Sequence, residues 1–311
     1  MPSCGPMMTL WHPDGIMAAV TLSEDTLRRC SPATVHLHTW SPDRAAEAVR
    51  RILPRVKISV GIGIDSIARN VAQGEWTVSR GVREFRDLGR RVDAAQGFEV
   101  RWNAEASWKR APNSVEAKRL DDLIPAALAA VKADRPKLVQ THSAYDHPTY
   151  HSAYRWRAWL GQGSPIAASY PQVYAAPGGG VMAHRGALAA REERALSSWR
   201  DAVRKGWIRE DAPAGTEADL TDCDWLPYFQ LHHVPTAATV EQAVKYPVAG
   251  FWALPTRSDA DGRAALVALH TLHRLGFWGP TAIVDFQASR GLKPDGKVGP
   301  LTLGELAKVQ P

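Results

Sequence analysis

Strand-like and helix-like runs alternate along most of the chain. Eight runs, at residues 15–22, 34–40, 57–65, 98–103, 137–142, 166–170, 226–232 and 249–254, are short, apolar or alternating, and bounded by turn formers. The segments between them carry helix periodicity. Ser41 and Pro42 give an N-cap with proline at the first helical position; Val82, Phe85, Leu88 and Val92 mark one apolar face, and Leu120, Leu123, Leu128 and Val131 another. Pro125 is expected to kink or split that second helix, Leu196, Trp199 and Val203 define a further one closed by Gly206, and Thr239 with Gln242 reads as a capping box. Eight strands alternating with helices predict an α/β protein whose parallel sheet closes as a TIM-like (β/α)8 barrel.

The run around residue 98 organises the rest. Phe98, Val100 and Trp102 share one face of a period-two pattern, and Arg101, Asn103 and Glu105 share the other. In a closed parallel barrel the first face packs on the helices. The second points into the lumen and rises to the mouth, where barrel enzymes keep their chemistry. The same reading puts His36, His38 and Trp40 on the polar side of the second strand, Ser59, Gly61, Gly63 and Asp65 on the third, and Tyr228, Gln230 and His232 on the seventh. The carboxyl ends of the strands then collect Trp40, Asp65, Glu105, His142, Tyr170, His232 and Trp252. The glycine-bearing loop at 174–185 reads either as a mobile flap or as a surface insertion.

Composition narrows the class. A chain that is 45% hydrophobic and 23% charged can bury a sizeable core, and disorder is excluded. The net charge of +6 suits an anionic partner, but the basic residues are scattered, which argues against a nucleic-acid surface. Cys4, Cys30 and Cys223 are too few and too far apart for a disulfide framework or a Cys-x-x-Cys metal site. No run is apolar enough to span a membrane, and the first residues lack the basic start and apolar core of a secretory leader. The expectation is a protein made in the cytoplasm. Twelve tryptophans, most of them outside the obvious helices, supply flat apolar platforms of the kind sugars stack on.

The polar stretch 255–262 reads as a linker that separates a barrel at 1–254 from a small all-α domain at 263–311. Leu275-Gly276, then Ile283, Val284, Phe286 and Gln287, then Gly291-Leu292, Pro294-Asp295-Gly296, Val298-Gly299-Pro300 and Thr302 form a pattern. It resembles the peptidoglycan-binding domain type 1, a three-helix module. In this reading Leu266, Leu269, Phe286, Leu303 and Leu306 supply its core, Asp295-Gly296 its tight turn, and Thr302 with Glu305 the cap of its last helix.

A barrel joined to such a module looks like the family 25 lysozymes of phage endolysins, which carry Asp-x-Glu at the end of the fourth strand. Asn103-Ala104-Glu105 occupies that place. The resemblance implies that Glu105 is the general acid, with asparagine standing where the family has aspartate. Asp65 is then the first candidate for a second carboxylate. In a substrate-assisted version, Asn103, Asp65 or Tyr170 would orient the sugar's acetamido group. Glu105 should sit partly desolvated between Trp102 and Trp108. Trp40, Trp102, Trp108, His142, His232 and Trp252 are the expected substrate contacts.

The implied protein is a monomeric peptidoglycan hydrolase that needs no cofactor or metal and meets the wall after holin-type release or injection. Two alternatives stay open. His142, His147 and His151 in THSAYDHPTYH resemble the His-Ser and His-Pro motif of polysaccharide deacetylases, with one residue too many between the histidines. That cluster would make a zinc-dependent amidase or deacetylase. The other alternative is a wall-binding protein without catalysis.

Overall fold

The computed structural model describes residues 7–10, 15–173, 181–210, 228–230, 236–245, 250–252 and 260–309. Eight parallel strands close into a barrel in chain order. They are β1 (Met7–Leu10), β2 (Thr34–His38), β3 (Lys57–Gly63), β4 (Glu99–Asn103), β5 (Val139–Tyr145), β6 (Ala168–Val173), β7 (Tyr228–Gln230) and β8 (Gly250–Trp252). Pairing of β1 with both β2 and β8 seals the barrel. The helices are α1 (Ile16–Cys30), α2 (Pro42–Ile52), α3 (Asp65–Gln73), α4 (Val78–Ala94), α5 (Val115–Asp134), α6 (Trp156–Leu160), α7 (Val181–Arg204), α8 (Thr236–Ala243), α9 (Ala260–Arg274), α10 (Ala282–Ser289) and α11 (Pro300–Lys308). The α/β barrel predicted from the alternation is the fold.

Four local readings change. Residues 15–22, expected as the first strand, begin α1, and Met7–Leu10 takes the strand position. The buried residues of α1, Ala19, Val20, Ser23, Thr26, Leu27 and Cys30, recur at three- and four-residue intervals, so the true period is helical. Helix α5 runs as one element through Pro125, because Leu120, Leu123, Ile124, Ala127, Leu128 and Val131 are buried on both sides of the proline. Thr239 lies inside α8, which starts at Thr236, so it is no N-cap. Of the glycine-bearing loop, residues 181–185 are the first turns of α7, and 174–180 fall outside the described residues.

The carboxy-terminal region differs most. Helix α9, expected as the first helix of a separate module, packs against α8 and α1 and completes the ring of helices around the sheet. All seven residues from Leu266 to Leu272 are buried, as a helix serving two cores must be. Its other side carries α11. The appended portion is therefore α10 and α11, tied to the barrel by the Gly279 amide donating to the Val244 carbonyl (2.9 Å) and by the Val298 amide donating to the Glu241 carboxylate.

Gln287 explains the turn between these two helices. Its buried amide donates to Asp295 Oδ1 (3.0 Å), the Lys297 carbonyl (3.0 Å) and Thr302 Oγ1 (3.1 Å), and its Oε1 accepts from the Gly296 amide (2.9 Å). Gly296 has φ +70, a left-handed conformation that glycine adopts without strain. Thr302 donates to the Lys297 carbonyl, and Gly299 and Pro300 start α11, so the expected Thr302–Glu305 cap is not formed.

Candidate active site

Strand β4 alternates as its sequence predicts. Val100 and Trp102 point outward and are fully buried; Trp102 packs at 4.8 Å on Phe85 of α4. Glu99, Arg101 and Asn103 point inward. Low in the lumen, Arg101 bonds Glu99 Oε1 (2.8 Å) and stacks on the Tyr170 ring (3.4 Å from guanidinium carbon to centroid), while the Thr141 hydroxyl donates to the same Glu99 oxygen (2.7 Å). Beside them His36 Nδ1 lies 2.8 Å from Ser59 Oγ. Gly61 leaves room for the two histidines of β2: a Cβ there would sit 2.3 Å from His36 Nε2. This polar layer plugs the barrel and forms the floor of the mouth.

Above the floor, side chains from β4, β6 and the segment after β4 converge. Asn103 Nδ2 donates to Glu105 Oε1 (3.1 Å), and Gln172 Nε2 donates to the same oxygen (3.1 Å), to Asn103 Oδ1 (3.0 Å) and, more weakly, toward Ser143 Oγ (3.4 Å). Two amides thus fix the rotamer of Glu105 through one oxygen. Among the described residues no hydrogen-bond donor engages Oε2, and both amide contacts fall on Oε1.

Asp65, the first residue of α3, accepts the Glu105 backbone amide (3.1 Å). Burial pushes its carboxyl up from the ordinary value, against the pull of the Glu105 and Ser107 amides. Tyr145, the last residue of β5, completes the rim. Burial, with the nearby Glu105 and Asp65 charges, pushes its phenol up to about 12. His38 is driven down to about 4 by burial, with Glu105 opposing, and is neutral at pH 7.

Several expected site residues lie elsewhere. Trp102 and Trp108 are fully buried; Trp108 packs edge-on against Trp159 at 5.1 Å, so neither flanks Glu105 in a groove. Tyr170 is held below the rim under Arg101 and cannot reach an acetamido group. His142 falls on the outer face of β5, where Nδ1 meets Ser169 Oγ (3.0 Å) and Nε2 meets the Tyr154 hydroxyl (2.7 Å). It is fully buried there. Nor do the histidines converge on a metal: His147 bonds Asp146 (2.8 Å), His151 stacks on Tyr145 (4.0 Å between centroids), and among the described residues no group of three or more His, Cys, Asp or Glu could hold an ion. Asp65 is engaged by the backbone amides of Glu105 and Ser107 after β4. Trp40 stays 46% exposed at the carboxyl end of β2, open to stacking. Trp252 ends β8, but its side chain and all of His232 lie outside the described residues.

Gln172, Ser143, Tyr145 and Lys109 were missed. The fifth and sixth strands extend to Tyr145 and Val173, beyond the expected ends at 142 and 170. Continuing the period-two count through Thr141, Ser143 and Tyr145, and through Ala168, Tyr170 and Gln172, would have found three of them.

No family profile and no curated protein matches the sequence. Solved structures do resemble the fold. A family GH18 chitinase from Cycas revoluta in complex with allosamidin superposes with a TM-score of 0.54 at 10% identity, over 86% of this chain and 99% of that one. The same plant's GH18 chitinase in complex with (GlcNAc)3 gives 0.54 at 11% identity over the same shares of the two chains.

Proposed function

We propose that this chain is a glycoside hydrolase that cleaves the N-acetylated glycan strand of bacterial peptidoglycan. Glu105 is the general acid, and Asn103 and Gln172 orient it. The observation that carries this reading is the convergence of both amides on Glu105 Oε1 at the carboxyl end of the barrel. A proton donor must be held within hydrogen-bond reach of the oxygen it protonates, and this one is held by two bonds at the mouth.

Glycosidases that rely on two carboxylates need the second one facing the sugar. Asp65 instead accepts backbone amides, which favours the substrate-assisted route. In that route Glu105 protonates the leaving oxygen while the sugar's own acetamido oxygen attacks the anomeric carbon. Water, deprotonated by Glu105, then opens the cyclic intermediate. Asn103, Gln172 and the Tyr145 phenol are the polar groups available to hold the acetamide. The fold shared with GH18 chitinases, one of them solved with allosamidin and with (GlcNAc)3, supports the choice of an N-acetylated glycan.

The wall as substrate rests on the resemblance of the carboxy-terminal segment to peptidoglycan-binding modules. Attachment there would raise the concentration of polymer at the barrel mouth. The positive net charge assists approach to an anionic wall. We expect a monomer that reaches the wall by holin-type release or by injection.

Glu105→Gln keeps both amide contacts in shape and removes the acid. It should reduce release of new reducing ends from purified wall by at least about 10³-fold without lowering Tm. Normal turnover by this variant overturns the assignment. New free amino groups without reducing ends would place the cut in the peptide instead.

A further inference from the structure

Among the described residues, Lys109 stands near Glu105 without a carboxylate partner of its own. Lys109 follows the 3-10 turn Ala106–Trp108, and its backbone is fixed by an antiparallel bridge to Tyr154 and by its amide donating to the Ala106 carbonyl (3.2 Å). Its ammonium lies 3.7 Å from the centroid of the Tyr145 ring. Tyr145 is in strand register with Gln172, whose amide grips Glu105. Neighbouring arginines are matched: Arg110 pairs with Glu116 (3.0 Å) and Arg155 with Asp121 (3.3 Å). Among the described residues no carboxylate comes within 4.0 Å of the Lys109 ammonium, although Glu105 is near enough for its charge to act on it. A partly desolvated ammonium held only by an aromatic face loses hydration without full compensation, and a ligand anion would supply what is missing. A lysine rather than an arginine suits that role, since its flexible stem lets the ammonium swing off the ring onto an incoming charge.

We propose that Lys109 and Tyr145 form a specificity subsite for a sugar that carries a carboxylate substituent next to the bond cleaved: the ammonium moves off the ring to receive the carboxylate, and the ring face it vacates receives the sugar, while His151 stays on the other face. This rests on the glycosidase reading and sharpens it: the favoured substrate is a stretch of wall glycan whose lactyl carboxylates are free of peptide, rather than a neutral or fully amidated N-acetylated glycan.

Binding tests it apart from cleavage. Two tetrasaccharides serve as probes: one N-acetylated glycan bearing lactyl ether carboxylates on alternate sugars, and the same glycan with those carboxylates amidated. Calorimetric Kd values are taken with Glu105→Gln, which cannot turn them over, and with Glu105→Gln combined with Lys109→Gln. The acidic form should bind Glu105→Gln about tenfold more tightly than the amidated form, and Lys109→Gln should bring that ratio to about one. An unchanged ratio, or no binding of either form, overturns the subsite. A lysine-dependent ratio in a protein whose wild type cleaves nothing would keep the subsite and remove the glycosidase reading; cleavage with a lysine-independent ratio would do the reverse.

Discussion

Gly61→Ala probes the floor of the mouth with a single methyl group. The added carbon would lie 2.3 Å from His36 Nε2, 2.8 Å from His36 Cε1 and 3.0 Å from His38 Nδ1, all inside contact distance. His36 cannot simply rotate away, because its ring is 2% exposed and bonded to Ser59 at 2.8 Å. Overpacking of this kind costs about 2 kcal/mol, which in a chain of this size lowers Tm by on the order of 4 °C. The displaced histidines also lie next to the layer that carries Asn103 and Glu105, so glycan cleavage should fall together with Tm.

The assay is thermal unfolding of Gly61→Ala, His36→Ala and the double variant. His36→Ala alone leaves a hole and an orphaned Ser59 hydroxyl. In the double variant the new methyl partly fills that hole, so the combined loss should be smaller than the sum of the two single losses by about 2 kcal/mol. A Gly61→Ala protein with unchanged Tm, or strictly additive losses, would refute the claim that the glycine exists to seat the His36 ring.

Two further outcomes are expected. A chain ending at residue 276 keeps α9 and should fold cooperatively but bind wall weakly, whereas a chain ending at residue 254 loses the helix that packs on α1 and α8 and should aggregate; equal stability of the two by urea unfolding would mean that α9 is dispensable to the barrel. Burial drives His270 and His142 down to about 3, so each stays neutral in the folded state while its unfolded counterpart takes up a proton below about pH 6.5. Stability is then fully present above that pH and is lost as the pH falls toward 3, at about 1.4 kcal/mol per pH unit per histidine. His270→Leu should flatten the fall between pH 6 and 4 by about that amount. His270 Nε2 makes no hydrogen bond among the described residues, so the change should cost little at pH 7. An unchanged slope in urea titrations would refute it.

The sequence by itself determined the fold and placed Glu105 just past the carboxyl end of β4. Period-two alternation in β4 and the strand–helix rhythm both depend on local backbone geometry, so they survive without knowledge of the neighbours. Strand ends are decided by partners. Whether Pro171 and Gln172 continue β6 depends on pairing with Ala144 and Tyr145, and the three residues following His142 in β5 were invisible for the same reason. Burial past a strand end is likewise non-local: the period-two count puts Trp102 and His142 on the helix-facing side of their strands, but nothing in the spacing of Trp108, beyond the end of β4, distinguishes a groove wall from the layer beneath the helices. Only closure of the barrel turned α9 from the start of a separate module into the eighth helix of its ring, because the mostly apolar run from Leu266 to Leu272 reveals that the helix is covered on more than one side but not by which neighbours. The tertiary structure also joined Gln172 to Glu105 across 67 residues. That contact comes from adjacency of strands, which a linear pattern does not encode.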